Sequence, residues 1–466
     1  MIDLQDDTHI ENEVQHLIQM EQLRQEIAYL TALHRKITIM FYYDNHSGDE
    51  ISALLNIPHS TVRWHLSQIK KKLKEGITMA TASNELGYEP KRLMVGHDGY
   101  INGENGMIGL GSNRLVDNIC LACYGNKLTL EEIARKLMVA SAYLEHHVNE
   151  LVYMDYLRVV DKNKYTTTFF ISELRHHVMA GKYHYQYIAP YAKSIYEAFD
   201  KRYDRIQAIG FLGSELDKDF VLWAIMPLVC NTLDYESMNA VLKRHRVETS
   251  RPKRKDGSEH WVCATLSDDE YFNVQAEFTK QEVAFHYKAR GNGIKMRDDG
   301  NGLESLQLDS YATIQAGLHW RVFDAPHLSE ISRIAQIISN QETPNELDKL
   351  MIARFVEQGY VGIVDNMPKL LIPFFTEEEY EQLTAILDEI VEELGEELFA
   401  PYIERFAEWF EQELPDFITK EERNYHKYKI YPQYAILYWL TEQGYLRYPT
   451  EEEAKRLCTV VWRKRS

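Results

Sequence analysis

Between His59 and Lys74 the chain carries side chains suited to duplex nucleic acid, set out at helical spacing. His59, Ser60, Thr61, Arg63, Trp64 and Ser67 come first, and Lys70, Lys71, Lys72 and Lys74 follow. Arginine and short polar groups hydrogen-bond base edges in the major groove, whereas lysines meet phosphate oxygens. On a helix, Ser60, Arg63, Trp64, Ser67 and Lys71 share one face, with Lys70 and Lys74 on its flanks. Val62, Leu66, Ile69 and Leu73 form the opposite, apolar stripe. That stripe alone would describe any surface helix; the ordered polar face points to a groove reader.

The elements around this face agree with it. Ile51, Leu54 and Leu55 predict a shorter helix, and Asn56-Ile57-Pro58 breaks it, because proline cannot continue a hydrogen-bond ladder but suits the first turn of the next helix. Glu50 to Lys74 therefore reads as a helix-turn-helix. Glu50-Ile51-Ser52-Ala53-Leu54-Leu55, Ile57-Pro58, Thr61-Val62-Arg63, Leu66 and Lys72-Leu73-Lys74, with an approach helix Leu33 to Tyr43 carrying Arg35, Ile37 and Met40, resemble region 4 of sigma-70-family RNA polymerase sigma factors, especially the extracytoplasmic-function type. The resemblance covers residues 28–75. It implies that the second helix reads the promoter element upstream of the start site, and that the module docks on the polymerase flap. About thirty residues precede it, too few for the promoter-melting region 2 at the usual size of a domain. The expectation is thus double-stranded DNA as partner, with RNA polymerase as a second.

Length and charge bound the remainder. A chain of 466 residues suggests about three domains. Its net charge of −19 argues against coating nucleic acid through bulk electrostatics, so DNA contact must sit on local basic patches. Asp3, Asp6 and Asp7 stand where a secretory signal would be basic, and the longest apolar run, Phe220 to Cys230, is too short for a membrane span; a cytoplasmic protein with no membrane partner is expected. Five scattered cysteines fit a reducing compartment. Cys120-Leu-Ala-Cys123 has half a zinc spacing, but no second pair follows and its run reads as a packed helix. HExxH, GxSxG and phosphate-loop patterns are absent, and the His146-His147 and His176-His177 doublets lack carboxylates at ligand spacing. No catalytic residue, metal or cofactor is assigned.

A second unit is predicted at 113–180. Thr129 with Glu132 is a capping-box signature for a helix Leu130 to Met138; a helix Ser141 to Asp155 follows, then strands Leu157 to Asp161 and Tyr165 to Ile171 around Lys162-Asn163-Lys164. This order resembles the winged-helix class of bacterial regulators. It would turn Ser141, Tyr143, His146 and Asn149 to the groove and put Lys162 and Lys164 at the wing tip. Glu145 and Glu150 oppose phosphate contact, and dimerisation or packing is an equal use of the same fold. Residues 355–375 echo 151–170, a divergent repeat.

The full division is 1–78 for the region 4-like module, 79–112 as a glycine-rich linker, 113–180 winged-helix-like, 181–325 an α+β sensor or association domain, and 326–466 helical, with a winged-helix-like arrangement as an option. Helices are expected at Lys218 to Cys230, Tyr235 to His245, Tyr431 to Leu446 and Glu451 to Trp462, strands at 260–266, 283–289 and 317–323, and a hairpin tip at Asp298-Asp-Gly-Asn-Gly302. The fold class is mainly α with smaller α+β parts. Arg251-Pro-Lys-Arg-Lys255 reads as a basic solvated loop that could touch phosphates. The resulting expectation is a cytoplasmic, non-enzymatic, DNA-binding transcription regulator. A protein-interaction adaptor that binds polymerase or an anti-sigma-type partner is the alternative, and the DNA target, effector and oligomeric state stay open.

Overall fold

The computed structural model describes residues 17–18, 20–82, 89–102, 107–247, 250–267, 294–298, 302–308, 323–428 and 433–464. In chain order the elements are α1 (20–29), α2 (Ala32–Thr38), a π-helical turn (Ile39–Tyr43), α3 (Gly48–Leu55), α4 (His59–Ala82), β1 (Arg92–Tyr100), α5 (Arg114–Cys123), α6 (Leu130–Leu137) and α7 (Ser141–Tyr153). Then come β2 (Leu157–Val160), β3 (Lys164–Thr167), β4 (Ile171–Ser172), α8 (Leu174–Tyr187), α9 (Ala189–Asp200), α10 (Tyr203–Gln207), α11 (Lys218–His245), β5 (Glu259–Ser267), β6 (Ile294–Asp298) and β7 (Leu303–Leu308). The chain closes with α12 (Ala325–Asn340), α13 (Glu346–Glu357), β8 (Val361–Val364), β9 (Met367–Leu370), β10 (Phe374–Phe375), α14 (Glu377–Leu394), α15 (Ala400–Phe410), α16 (Lys420–Tyr428), α17 (Gln433–Glu442), α18 (Glu451–Ala454) and β11 (Thr459–Arg463). The molecule is mostly helical with small sheets, and its residues fall into two compact units.

The first unit comprises Met1–Ser172, Ser250–Asp268 and Pro415–Glu422. Its sheet has the order β1-β5-β4, with β1 antiparallel to β5 and β4 parallel to it. The β2–β3 hairpin stands beside α7, and Leu128 adds a bridge to Tyr165. A core of Val116, Ile119, Ile133, Leu137, Leu144, Val148 and Leu151 joins α5, α6 and α7. Cys120 and Cys123 are buried in that core, where burial pushes the Cys123 thiol up to about 12 and raises Cys120 as well.

The second unit comprises Glu173–Thr249, Asp269–Leu414 and Arg423–Ser466. Its sheet runs β10-β11-β7-β6, with β11 parallel to β10 and antiparallel to β7. Leu328, Ile331, Ile334, Phe355, Tyr360 and Leu370 pack α12, α13 and the β8–β9 hairpin together.

Several expectations are corrected. The glycine-rich stretch expected as linker contributes β1, because Arg92 to Tyr100 pairs residue for residue with Ser267 to Glu259. Gly99 belongs to that strand for a physical reason: its φ is +126°, and a Cβ there would lie 2.2 Å from the Glu259 carbonyl oxygen. Lys218 to Cys230 and Tyr235 to His245, expected as two helices, form the single helix α11 with Pro227 inside it. Near-complete burial from Phe220 to Cys230 outweighs the hydrogen bond that proline forfeits. The last predicted helix, Glu451 to Trp462, is the short α18 followed by a strand. Thr459 to Trp462 are all buried between β10 and β7, and a short apolar run buried on both faces has no periodicity to separate strand from helix. The strand expected at 283–289, most of that at 317–323, and residues 299–301 of the Asp-Gly-Asn turn lie outside the described residues.

Candidate nucleic-acid interface

Ser47 starts the site. Its Oγ accepts from the Glu50 amide at 3.3 Å, and the Glu50 carboxylate accepts from the Ser47 amide at 2.7 Å, closing a capping box at α3. The bond from the Ser47 amide, with a second from the Ser47 hydroxyl at 2.9 Å, holds the Glu50 carboxyl below its ordinary value. Asn56 ends α3 in the left-handed conformation (φ 52°), where asparagine is tolerated. Ser52 Oγ ties the turn to the Ile57 carbonyl at 2.6 Å, and the Thr61 and Val62 amides close on the Pro58 carbonyl as α4 begins.

Helix α4 then divides as its sequence predicts. Val62 and Ile69 are fully buried with Leu30, Ile37, Met40 and Ile51, and Leu66 and Leu73 pack at the edge of that cluster. His59, Ser60, Arg63, Trp64, Ser67, Lys70, Lys71 and Lys74 are exposed, and Thr61 is half-buried. Trp64 is 57% exposed, unusual for so large an aromatic. Lys71 lies 3.8 Å from Glu75 in an exposed pair, and Arg63, Lys70 and Lys74 are in no ion pair among the described residues. The cations are thus displayed rather than consumed by the fold.

Lys72 does the reverse. Its ammonium reaches back 2.5 Å to Glu131 of α6, whose carboxylate also accepts from the Thr31 amide and lies 3.6 Å from His34 Nδ1. Burial raises the Glu131 pKa, but the His34 ring beside it, the hydrogen bond from Lys72 and the Lys72 charge outweigh it and hold the carboxyl down to about 2. Arg135, one turn further along α6, donates to Glu26 of α1 at 2.9 Å. Gly76 lets α4 approach the same carboxylate: a Cβ there would fall 1.9 Å from Glu26 Oε2. A helix-turn-helix is thereby seated on α6 through buried charges.

The second expected face is partly rearranged. Ser141 does not belong to it; this residue is fully buried, and its hydroxyl bonds the Leu30 carbonyl and accepts from Arg35 Nη1 at 2.8 Å. The start of α7 packs on residues 28–35, an arrangement with no local signal in the sequence. Tyr143, His146 and Asn149 are exposed on one stripe, Lys162 is exposed at the hairpin turn, and Lys164 is half-buried. Glu145, counted against phosphate contact, instead accepts from the Ala32 amide at 3.1 Å and lies 3.7 Å from Arg35. Glu150 sits 3.3 Å from His146 and 3.6 Å from His147.

Residues 20–73 match the family model Sigma-70, region 4. The match takes in α1 to α3 and stops inside α4. It relates this part of the chain to the sigma-70 family, and hence to DNA and RNA polymerase in general. No curated protein and no solved structure matches the chain. Reasoning from the sequence missed the other surface of the region 4 module, where Ile39, Tyr42, Tyr43 and Leu54 are 42 to 60% exposed. Helical spacing from Ile51 places Leu54 with the packed residues, yet it is exposed, and the π-helical turn presents Tyr42 and Tyr43 outward; spacing alone signals neither departure. Among the described residues no group of three or more metal-ligating side chains occurs, and no helix is long and apolar enough to cross a membrane.

Proposed function

We propose that the chain is a cytoplasmic, non-enzymatic transcription regulator that reads promoter DNA through α4, as a region 4 of the extracytoplasmic-function type would. The observation that carries this reading is the exposed row from His59 to Lys74 on a helix whose other face is core, in a chain of net charge −19. Arg63 and the short polar groups around it are the base readers, and Lys70, Lys71 and Lys74 are the phosphate contacts. The unit formed by α5, α6, α7 and the β2–β3 hairpin is read as a winged helix giving a second contact through Tyr143, His146 and Asn149, with Lys162 and Lys164 at the wing. The neutralisation of Glu145 by Arg35 supports that second contact.

An adaptor reading has its own support in the exposed Ile39, Tyr42, Tyr43 and Leu54, an apolar surface suited to polymerase or another protein. Selection of bound fragments from sheared genomic DNA, with the full-length protein and an Arg63→Ala, Trp64→Ala variant, separates the two. Enrichment of a discrete site that the variant loses supports autonomous recognition. Recovery of DNA only after polymerase is added would refute it in favour of the adaptor.

A further inference from the structure

The loop Arg251-Pro-Lys-Arg-Lys255 follows α7 by roughly a hundred residues, yet the fold brings it to the C-terminal end of that helix. Arg254 fastens it. This side chain is 8% exposed, donates to the carbonyls of Met154 (3.2 Å), Asp155 (3.3 Å) and His260 (3.3 Å), and lies 5.0 Å over the Tyr156 ring. Within the loop, the Arg254 amide bonds the Ser258 carbonyl at 2.7 Å, the Ser258 hydroxyl donates to Asp256 at 2.8 Å, and Asn102 donates to the Asp256 carbonyl at 2.7 Å. A guanidinium is costly to bury, and a turn needing only solubility has no use for one. What the staple achieves is to fix the direction of its neighbours.

Those neighbours are cations. Arg251, Lys253 and Lys255 are exposed; Arg251 lies 3.0 Å from Asp98 and Lys253 3.2 Å from Glu259. Lys255 is in no ion pair among the described residues and sits 5.6 Å from the centre of the Tyr153 ring, while the Tyr153 hydroxyl donates to the Lys255 carbonyl at 3.4 Å. Tyr153 continues the stripe of Tyr143, His146 and Asn149, seven residues beyond His146 and about two helical turns along. Helix α7 has 13 residues and is about 20 Å long, whereas the major groove is about 12 Å wide. With its first turns over the bases, its last turn must come out at a phosphate strand. Tyr153 and Lys255 lie there.

We infer that the 251–255 loop is a phosphate clamp for duplex DNA, with Lys255 as its principal contact and Lys253 beside it, acting at the end of α7. The inference rests on the reading of α7 as a second DNA contact. Duplex phosphates fit better than an acidic protein because the cations flank an exposed stripe of hydrogen-bonding groups at groove dimensions.

The test is fluorescence anisotropy of the full chain on a short random-sequence duplex over a salt series. It compares wild type, Lys253→Gln/Lys255→Gln, Tyr143→Ala/Asn149→Ala and Arg63→Ala. Each lost phosphate contact flattens the salt slope by about 0.9, so the double lysine variant should flatten it by about 0.9 to 1.8. Both lysines are exposed, and an unchanged melting curve checks that the fold is kept. An unchanged slope in the lysine variant, with weakened binding in the Tyr143/Asn149 variant, would overturn the clamp and leave the α7 reading standing. Loss of affinity only in Arg63→Ala would overturn both, and so would wild type failing to bind the duplex.

Discussion

Replacing Glu131 by glutamine keeps the shape of the side chain and removes the charge that Lys72 meets. The wild-type carboxyl is held down to about 2 from an ordinary 4.5. At about 1.4 kcal/mol per pH unit, its ionised form contributes about 3 kcal/mol to the folded state. Removing one partner of a buried pair costs about 3 to 5 kcal/mol, and the partly exposed Lys72 can turn to water, which favours the lower figure. Because the folded value lies below the unfolded one, this stability is complete above about pH 4.5 and is lost as the pH falls towards 2; about 2 of the 3 kcal/mol is gone by pH 3. Glu389, pulled down to about 2 by Arg205 and Arg202, and Glu453, pulled down to about 2 by Arg447, titrate in the same window in the other unit. The informative quantity is therefore the difference between wild type and variant. Hydrogen exchange of the α2, α4 and α6 amides reads it locally. At pH 7 the variant should exchange about a hundredfold faster at its most protected amides, and near pH 3 the gap should shrink to severalfold. Protection equal to wild type at pH 7 would refute the claim that this pair seats the helix-turn-helix, as would a gap that ignores pH.

Arg63→Ala should cost about 1 to 3 kcal/mol of DNA affinity and relax preference at the bases it meets, whereas Lys71→Ala should weaken all sequences alike and flatten the salt slope by about 0.9; titrations on selected and scrambled duplexes separate the two. Ser47→Ala removes the capping box of α3 and should lower stability by about 1 kcal/mol, read as a shift in urea midpoint at constant slope. His260, fully buried, has its pKa lowered to about 4 by burial and by the Arg254 and His97 charges. Its folded value lies below the ordinary 6.5, so wild type loses stability as the pH falls from about 6.5 through 4, and His260→Gln should show a flatter melting temperature over that range.

What could be read from the sequence was what is decided locally. The Thr129 cap, the Pro58 turn and the split face of α4 each depend on residues within a few positions of one another, and all appear in the structure as expected. The failures share a different cause. Ser141 is spent on Leu30 and Arg35, Glu145 on Ala32 and Arg35, and Lys72 on Glu131, partners between 59 and 113 residues away. Strand β1 needed β5, 159 or more residues further on, to become a strand at all. A polar residue on a predicted groove face can equally be a buried link between segments, and helical spacing alone does not separate the two.

The two units repeat one plan, and their difference locates what holds the region 4 module. In the first, a long strand (β1) leads to a helix on the sheet (α5), a helix ending near an aromatic (α7), a hairpin, and a short strand (β4) parallel to a distant one. In the second, β7, α12, α13, the β8–β9 hairpin and β10 follow the same order, and β10 is parallel to β11. The backbone agrees in detail: the Tyr156 amide bonds the Leu151 carbonyl and the Thr168 amide the Tyr156 carbonyl, just as Tyr360 bonds Phe355 and Leu371 bonds Tyr360. The echo between 151–170 and 355–375 is therefore structural. Helices α5 and α12 both pack against the long strand and the second hairpin strand, but between α12 and α13 there is only a turn, where the first unit has α6. Helix α6 carries Glu131 and Arg135, which bind Lys72, His34 and Glu26. The first unit therefore owes its hold on the region 4 module to one helix that the second unit lacks, and the buried charges on that helix are what fasten α4 and α1 to it.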